Sequence, residues 1–245
     1  MTKAEIQFIR SLADKRARSE TGLFTAEGSK LIGEILSSPL EVRNLYALEG
    51  VFDGRAERAT PREMERISSL KTASDSLAVV AQPRYRTPDV APADRLALAL
   101  DGVRNPGNMG TIVRLADWFG IDDIFCSEDS ADLYNPKVVQ ATMGALARVE
   151  VHYVDLADTI AKAAATGTPI CGTLLDGENI YRSQLPAAGI VVMGNEGNGL
   201  SQQVRALLTH RLLIPPYPAS DADGVESLNV AMATGIVLSE FRRRL

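Results

Sequence analysis

The sequence predicts an α/β protein, with a parallel-sheet α/β domain in its C-terminal part preceded by a smaller α/β unit. Strand-like and helix-like segments alternate through almost all of the 245 residues. Several strand-like runs in the second part, LALALDG and GIVVMGN among them, are nearly continuously apolar, as suits strands covered on both faces of a sheet. Between the two parts lies PRYRTPDVAPAD, punctuated by Pro83, Pro88 and Pro92 and without periodicity, which reads as a linker. The expected division is a unit over 1–86, a linker over 87–94 and a second domain over 95–245.

In the first unit AEIQFIRSLADKRAR has helix periodicity, LFTAEG is a short strand, and SKLIGEILSS is a helix capped by Ser29 or the glycine before it. VRNLYALE is a strand. TPREMERISSL is a helix with Thr60 as N-cap and Pro61 at its first position, where the missing N–H has no partner to lose. SLAVVAQP closes the unit as a strand. From Leu96 the strands are LALALDG, DDIFCSE, ARVEVHYV, PICGTLL, GIVVMGN and HRLLIP. Helix-like segments lie between them at about 107–119, 136–146, 156–165 and 200–208. The chain ends on VESLNVAMATGIVLSEFRRRL, a long helix whose basic tail suits the negative end of its dipole.

Apolar residues make up 45% of the chain, enough for a packed core and too many for wholesale disorder. The formal charge of −5 gives no global sign of nucleic-acid binding, but it divides as +2 over residues 1–86 and −7 over the rest. The N-terminal unit is the better candidate for meeting a polyanion. Cys126 and Cys171 sit in strand-like runs outside any CxxC pair and are expected to be buried free thiols, with no disulfide framework or zinc site. MTKAEIQFIRSL lacks the continuous apolar core of a signal peptide, and no run approaches the ~20 residues of a membrane span, so a soluble cytoplasmic protein is expected.

Three polar, glycine-rich clusters follow strand ends in the second domain: NPGNMGTIVR (105–114), GNEGNGLS (194–201) and IPPYPASDADGVESLN (214–229). Ligands of open α/β sheets sit beyond the carboxyl ends of the strands, so three such loops can form one site. Familiar phosphate motifs fail. GNEGNG has the spacing GxxGxG with a carboxylate in its middle, and no GxxxxGK[ST] exists. A Ser–His–Asp hydrolase has no GxSxG, and His152 and His210 lie in strand-like runs as structural or surface residues.

Taken in order, N-x-G-N-x-G-x-x-x-R, an apolar strand ending in G-N-E-G-x-G-L-S, and I-P followed by S-L-N resemble the SpoU (TrmH-like) family of RNA 2′-O-ribose methyltransferases. SLADKRARSETGLFTAEGSKLI is similar to the family's L30e-like substrate-binding domain, so the resemblance covers nearly the whole chain. It implies a deep trefoil knot at the C-terminal end, a homodimer, and S-adenosylmethionine bound in the knot; methyl transfer from that donor needs no metal, and the sequence offers no metal-ligand cluster. Catalytic positions carried over are Asn108, Arg114, Glu196, Ser227 and Asn229. Gly194, Ile214 and Leu228 match positions lining the methyl-donor pocket, and Thr173 and Leu174 are further candidates for it. Pro216 stands where the family often has methionine, and the loop after it is longer, which puts the contacts of residues 216–224 in question.

The implied chemistry is an in-line displacement at a sulfonium methyl, in which alignment alone can supply on the order of 7–11 kcal/mol. Arg114 either deprotonates the 2′-hydroxyl or binds a neighbouring phosphate; guanidinium groups stay charged in proteins, and phosphate is their ordinary partner. Asn108 could hold the ribose or cap its helix, Glu196 could fix Asn108 or Arg114, and Ser227 could cap the last helix. Lys15, Arg16 and Arg18 are candidate RNA phosphate contacts. Ribosomal RNA is the expected substrate and transfer RNA a second one. Two other classes compete: an RNA-binding protein that keeps the fold without turnover, and a nucleotide-cofactor oxidoreductase, which the glycine spacing disfavours.

Overall fold

The computed structural model describes residues 1–88, 92–217 and 227–244, so residues 89–91 of the expected linker lie outside it. Its compact units are Met1–Tyr85 with Asp132–Arg148, and Arg86–Ala131 with Val149–Leu245. The segment Asp132–Arg148, expected in the second domain, thus packs with the first unit. Asp132 takes the buried Arg18 guanidinium at 2.5 Å, and the Tyr134 ring lies 4.8 Å from that of Phe24.

In the first unit the single helix expected at the N-terminus is two, α1 (Lys3–Ser11) and α2 (Lys15–Thr21). Asp14 divides them by adopting extended backbone and accepting the Arg16 amide at 2.7 Å, which starts a new helix instead of continuing the old one. Then come β1 (Leu23–Glu27), α3 (Ser29–Leu36), β2 (Val42–Ala47), β3 (Glu57–Arg58), α4 (Pro61–Ile67) and β4 (Ser76–Ala81). The sheet order is β1-β4-β2-β3, antiparallel except for β2 with β3, a two-residue strand too short to carry a sequence signal. Thr60 and Glu63 form a reciprocal capping box at the start of α4, with Pro61 in its first turn.

The second unit contains β5 (Leu96–Asp101), α5 (Pro106–Trp118), β6 (Asp123–Ser127), β7 (Glu150–Val154), α7 (Leu156–Ala165), β8 (Ile170–Asn179), β9 (Gly189–Gly194), α8 (Gln202–Ala206), β10 (His210–Leu213) and α9 (Val230–Arg243). Helix α6 (Pro136–Thr142) belongs to the first unit. All six strands are parallel, in the order β10-β8-β9-β5-β6-β7. Ala97, Ala99, Ile190 and Val192 pack with Ile160, Ala163 and Val204 of α7 and α8, while alternate strand residues point to the opposite face. Helices α5 and α9 pack on each other, with the Leu115 side chain against Gly235.

Strand β8 runs four residues past the expected PICGTLL and pairs with β10 through a register shift between Arg211 and Leu212. There Gly177 passes so near the Leu212 backbone that a Cβ would lie 2.5 Å from its carbonyl carbon. The last helix begins at Val230, not in VESL, because Asn229 caps it by accepting the amides of Ala231 and Met232 at 3.0 and 3.3 Å. Both cysteines are buried free thiols, and burial pushes Cys171 up to about 12. Among the described residues no helix is long and apolar enough to cross a membrane.

Candidate active site

Strands β5 and β9 are parallel neighbours and end side by side, Asp101 opposite Gly194. The loops that follow them therefore emerge together. Asn105 caps α5, its side-chain oxygen accepting the amides of Gly107 and Asn108 at 2.9 and 3.1 Å. That relieves Asn108, expected as a possible cap, of the task. Asn108 instead is the third residue of the helix and donates its side-chain nitrogen to Glu196 Oε1 in the loop after β9. Its side-chain oxygen accepts from Asn229 Nδ2 at 3.0 Å, at the start of α9. Residues 88 and 121 positions away in sequence meet at one amide.

The direction of this chain of hydrogen bonds is fixed from one end. Backbone N–H groups can only donate, so Asn229 must turn its oxygen to α9 and its nitrogen to Asn108. Asn108 then has its oxygen towards Asn229 and its nitrogen towards the Glu196 carboxylate. An amide offers two N–H groups and two lone pairs, so among the described residues Asn108 keeps one of each uncommitted. That is the complement of one hydroxyl, which both donates and accepts.

Arg114 stands apart from this cluster. Six residues after Asn108, it is about 9 Å further along α5 and roughly a third of a turn off its face. It is exposed and makes no hydrogen bond or ion pair with a described residue. Glu196 therefore fixes Asn108, not Arg114. Ser227 is exposed and does not cap α9. Leu228, between these polar neighbours, is 51% exposed. Gly194 ends β9, half-buried, and Ile214 follows β10, half-buried. Thr173 and Leu174 point to opposite faces of β8. Thr173 Oγ1 lies 3.7 Å from Met193 Sδ, whereas Leu174 packs into the core cluster beneath α7 and α8 and is committed there. Most of the loop 216–224 lies outside the described residues.

The candidate RNA contacts of the first unit divide. Lys15 is exposed, and Arg16 is exposed with an ion pair to Glu20 at 2.7 Å. Arg18 is 2% exposed, with its guanidinium spent on the carbonyls of Leu12 and Ala13 and on Asp132, so it is a structural residue and not a surface cation. Spacing gives no hint of this, since i,i+3 places Arg18 beside exposed Lys15; its burial comes from Asp132, distant in sequence.

Sequence reading missed three features. Asn195 closes the loop after β9 and ties it to the loop after β5. Arg104 pairs with Asp129 at 2.5 Å beside that same loop. Asp123, Glu150 and His152 come together at the opposite, N-terminal ends of β6 and β7, where no metal-ligand spacing was visible. His152 Nε2 lies 3.1 Å from Asp123 Oδ1 and Arg95 Nη2 lies 2.8 Å from Asp123 Oδ2, so each carboxylate oxygen already has a partner. The His152 hydrogen bond, then Arg95, holds the Asp123 carboxyl below its ordinary range. A cleft of about 370 Å³ at the ends of β5, β6 and β7 is lined by Asp101, Glu128, Asp129 and Asp155, a poor match for a polyanion.

The family model for the SpoU rRNA Methylase family matches residues 95–239, and that for the MRM3-like substrate binding domain matches residues 3–84. A curated relative, the 23S rRNA (guanosine(2553)-2'-O)-methyltransferase RlmP of Bacillus subtilis (strain 168), is 27% identical over 95% of this chain and 94% of its own length. A TrmH-family structure from Porphyromonas gingivalis is 40% identical, with a TM-score of 0.88 over 100% of this chain and 99% of that one. An AdoMet-bound rRNA methyltransferase from Sinorhizobium meliloti is 29% identical, with a TM-score of 0.86 over 100% of this chain and 96% of that one.

Proposed function

The chain belongs to the SpoU rRNA methylase family, and from that premise we propose that it transfers a methyl group from S-adenosylmethionine to a ribose 2′-hydroxyl of structured RNA, most simply ribosomal RNA, with transfer RNA the second choice. The observation that carries this reading is the Glu196–Asn108–Asn229 chain, which leaves Asn108 with the spare donor and acceptor a hydroxyl needs.

The residues present fit the donor molecule. Leu228, an exposed leucine between polar neighbours, and half-buried Ile214 offer apolar surface for an uncharged purine, while Gly194, lacking a Cβ, lets the loop after β9 fold back against the strand end beside them. Thr173 adds a hydroxyl from the neighbouring strand, beside Met193 near the end of β9. When bound, S-adenosylmethionine supplies a methyl already activated by the positive charge on its sulfur. What remains for the chain is alignment and handling of one proton. Asn108 holds the ribose hydroxyl. Arg114, uncommitted within the described residues, takes an RNA phosphate in its planar fork and sets the ribose against the methyl. Ser227 and Asn229 line the same opening from the residues that lead into α9. Lys15 and Arg16 of the L30e-like unit add phosphate contacts.

The reading includes a homodimer, a deep trefoil knot in the C-terminal part and a cytoplasmic site of action. A groove of about 430 Å³ along α5 and α9, lined by Leu115, Met232 and Ile236, together with Trp118 at 82% exposure, supports a partner copy on that face. The test is incubation of purified protein with labelled S-adenosylmethionine and unmodified ribosomal or transfer RNA, digestion to nucleosides and analysis by mass. A 2′-O-methyl nucleoside in one pool is the expected product. Donor binding without product in either pool, or in assembled ribosomal particles, would instead support an RNA-binding role without turnover.

A further inference from the structure

Asn195 is a neighbour of the carboxylate that grips Asn108, and every polar atom it owns is used. Its side-chain oxygen accepts the amides of Gly197 and Asn198 at 2.9 and 3.0 Å, closing an Asx turn around Glu196. Its backbone pairs with Gly199 in both directions, at 3.0 and 2.9 Å. Its side-chain nitrogen leaves the loop altogether and donates to the Gly102 carbonyl at 2.8 Å. Gly102 belongs to the loop that leads from β5 into Asn105 and Asn108, and its left-handed φ of +71° sets the turn there. From the other side the Gly102 amide donates to Ser127 Oγ at 2.8 Å, so Gly102 is held at both of its flanking peptide groups.

We propose that Asn195 is a positioning residue for methyl transfer: it locks the loop carrying Glu196 to the loop carrying Asn108, so that the carboxylate meets the amide at a fixed place. The proposal rests on the reading above for the identity of the reaction. The physical reason is that Glu196 sits on a five-residue turn with three glycines within it or next to it, Gly194, Gly197 and Gly199, a backbone with little stiffness of its own. A Glu–Asn hydrogen bond between two such loops fixes Asn108 only if the loops are themselves held together. The Asn195–Gly102 bond ties these two loops at the turn that carries Glu196, while the Ser201 amide, bonded to Asp101 Oδ2 at 2.7 Å, holds only the far end of the returning loop.

Asn195→Asp isolates the tie. One carboxylate oxygen still accepts from Gly197 and Asn198, while the other faces the Gly102 carbonyl and repels it. The expected result is a fall in kcat of about 10- to 100-fold, the range for a misplacement near 1 Å, with the dissociation constant for S-adenosylhomocysteine unchanged within about threefold. In a double-mutant cycle with Glu196→Gln, the second substitution costs little once the first is made, because both act through one contact. Additive losses, or an unchanged kcat, would overturn the proposal. A readout independent of turnover is the side-chain amide resonance of Asn108 in a ¹⁵N–¹H spectrum, assigned with Asn108→Asp. It moves in Asn195→Asp if the tie positions Glu196, and a resonance that stays in place overturns the proposal even if the wild-type chain methylates neither RNA. Should Asn195→Asp not fold, Asn195→Ser, which can close the turn but cannot reach Gly102, carries the same measurements.

Discussion

Asn229 Nδ2 donates to Asn108 Oδ1 at 3.0 Å while Asn229 Oδ1 caps α9, so one side chain both starts a helix and orients the amide at the centre of the site. The two duties can be separated. Asn229→Asp keeps an oxygen for the cap, since Asp and Asn cap almost equally well. It loses the donor and sets a carboxylate against a carbonyl oxygen. The expected outcome is a melting temperature within ~2 °C of wild type, as for a change below 1 kcal/mol in a chain this size, and a loss of turnover of about tenfold or more. Asn229→Ala loses both and costs about 1 kcal/mol as well. Thermal unfolding beside single-turnover methylation distinguishes the variants.

Arg114 has no partner to lose among the described residues, so its removal leaves the fold alone. Arg114→Lys keeps the charge and the helix propensity but replaces a planar fork by a point charge. Stability is expected to stay within about 0.5 kcal/mol, while kcat/KM for RNA falls about tenfold or more. A lysine variant with most of its turnover would show that charge alone suffices there.

The sheet and the three converging loops were legible because their signals are local. Apolar runs mark the buried strands, and glycine–asparagine clusters stand where helices ordinarily begin with a single cap. Convergence of Asn108, Glu196 and Asn229 followed from the rule that parallel strands end on one side. Partners were harder to read. Ser227 and Asn229 are both good caps two residues apart, and only the position of α9 chooses between them. Arg18 has the composition of a surface cation, but a carboxylate 114 residues away buries it. Asn195 carried no signal within GNEGNG, because its defining bond is to a carbonyl in another loop. Asp14 ended a helix whose apolar pattern ran straight through it.

Arg18 and Lys15, three residues apart on α2, are expected to fail in different ways. Arg18→Ala strips a buried guanidinium from Asp132 and from the carbonyls of Leu12 and Ala13, which destabilises the fold by about 3–5 kcal/mol, the usual cost of removing one partner of a buried pair. Lys15→Ala removes an exposed charge, leaves stability within about 0.5 kcal/mol and weakens RNA binding with a shallower salt dependence. Chemical denaturation and binding at two salt concentrations separate the two. Equal stability of both variants would contradict the burial of Arg18.

The C-terminal arginines bear on acid stability. Arg243, then Arg244, hydrogen-bonds Glu240 and holds its carboxyl at about 2, below its ordinary 4.5. A carboxyl whose value is lower in the folded chain stabilises the fold fully above about 4.5. That contribution is lost as the pH falls towards 2, because the folded state must then take up a proton it resists. Arg244 also donates to the carbonyls of Ile180 and Ser183, so losing the carboxylate loosens its grip on the segment after β8. Glu240→Gln is therefore expected to be less stable than wild type at pH 6, with the difference shrinking between pH 4.5 and pH 2. Urea midpoints of the two proteins across that window test this, and a difference that does not change with pH would assign the effect of the substitution to packing.

Gly194 is the position where a single methyl group would separate fold from site. It ends β9 with its Cα against the backbone of the returning loop, and a Cβ there would lie 2.5 Å from the Gly199 carbonyl carbon and 2.7 Å from the Leu200 amide nitrogen. Neither is the far end of a side chain that can swing away, so the loop must open. The strand itself is held by six paired positions with β5 and stays. Gly194→Ala is thus expected to keep the far-ultraviolet circular dichroism of wild type while displacing Glu196, lowering turnover at least about 100-fold and weakening binding of S-adenosylhomocysteine, measured by calorimetry. By contrast Gly197, whose added Cβ would meet only Asn195 Oδ1 at 3.6 Å, accepts alanine with donor binding intact. If the two alanine variants bind the donor equally well, the loop after β9 has room that its backbone spacing denies.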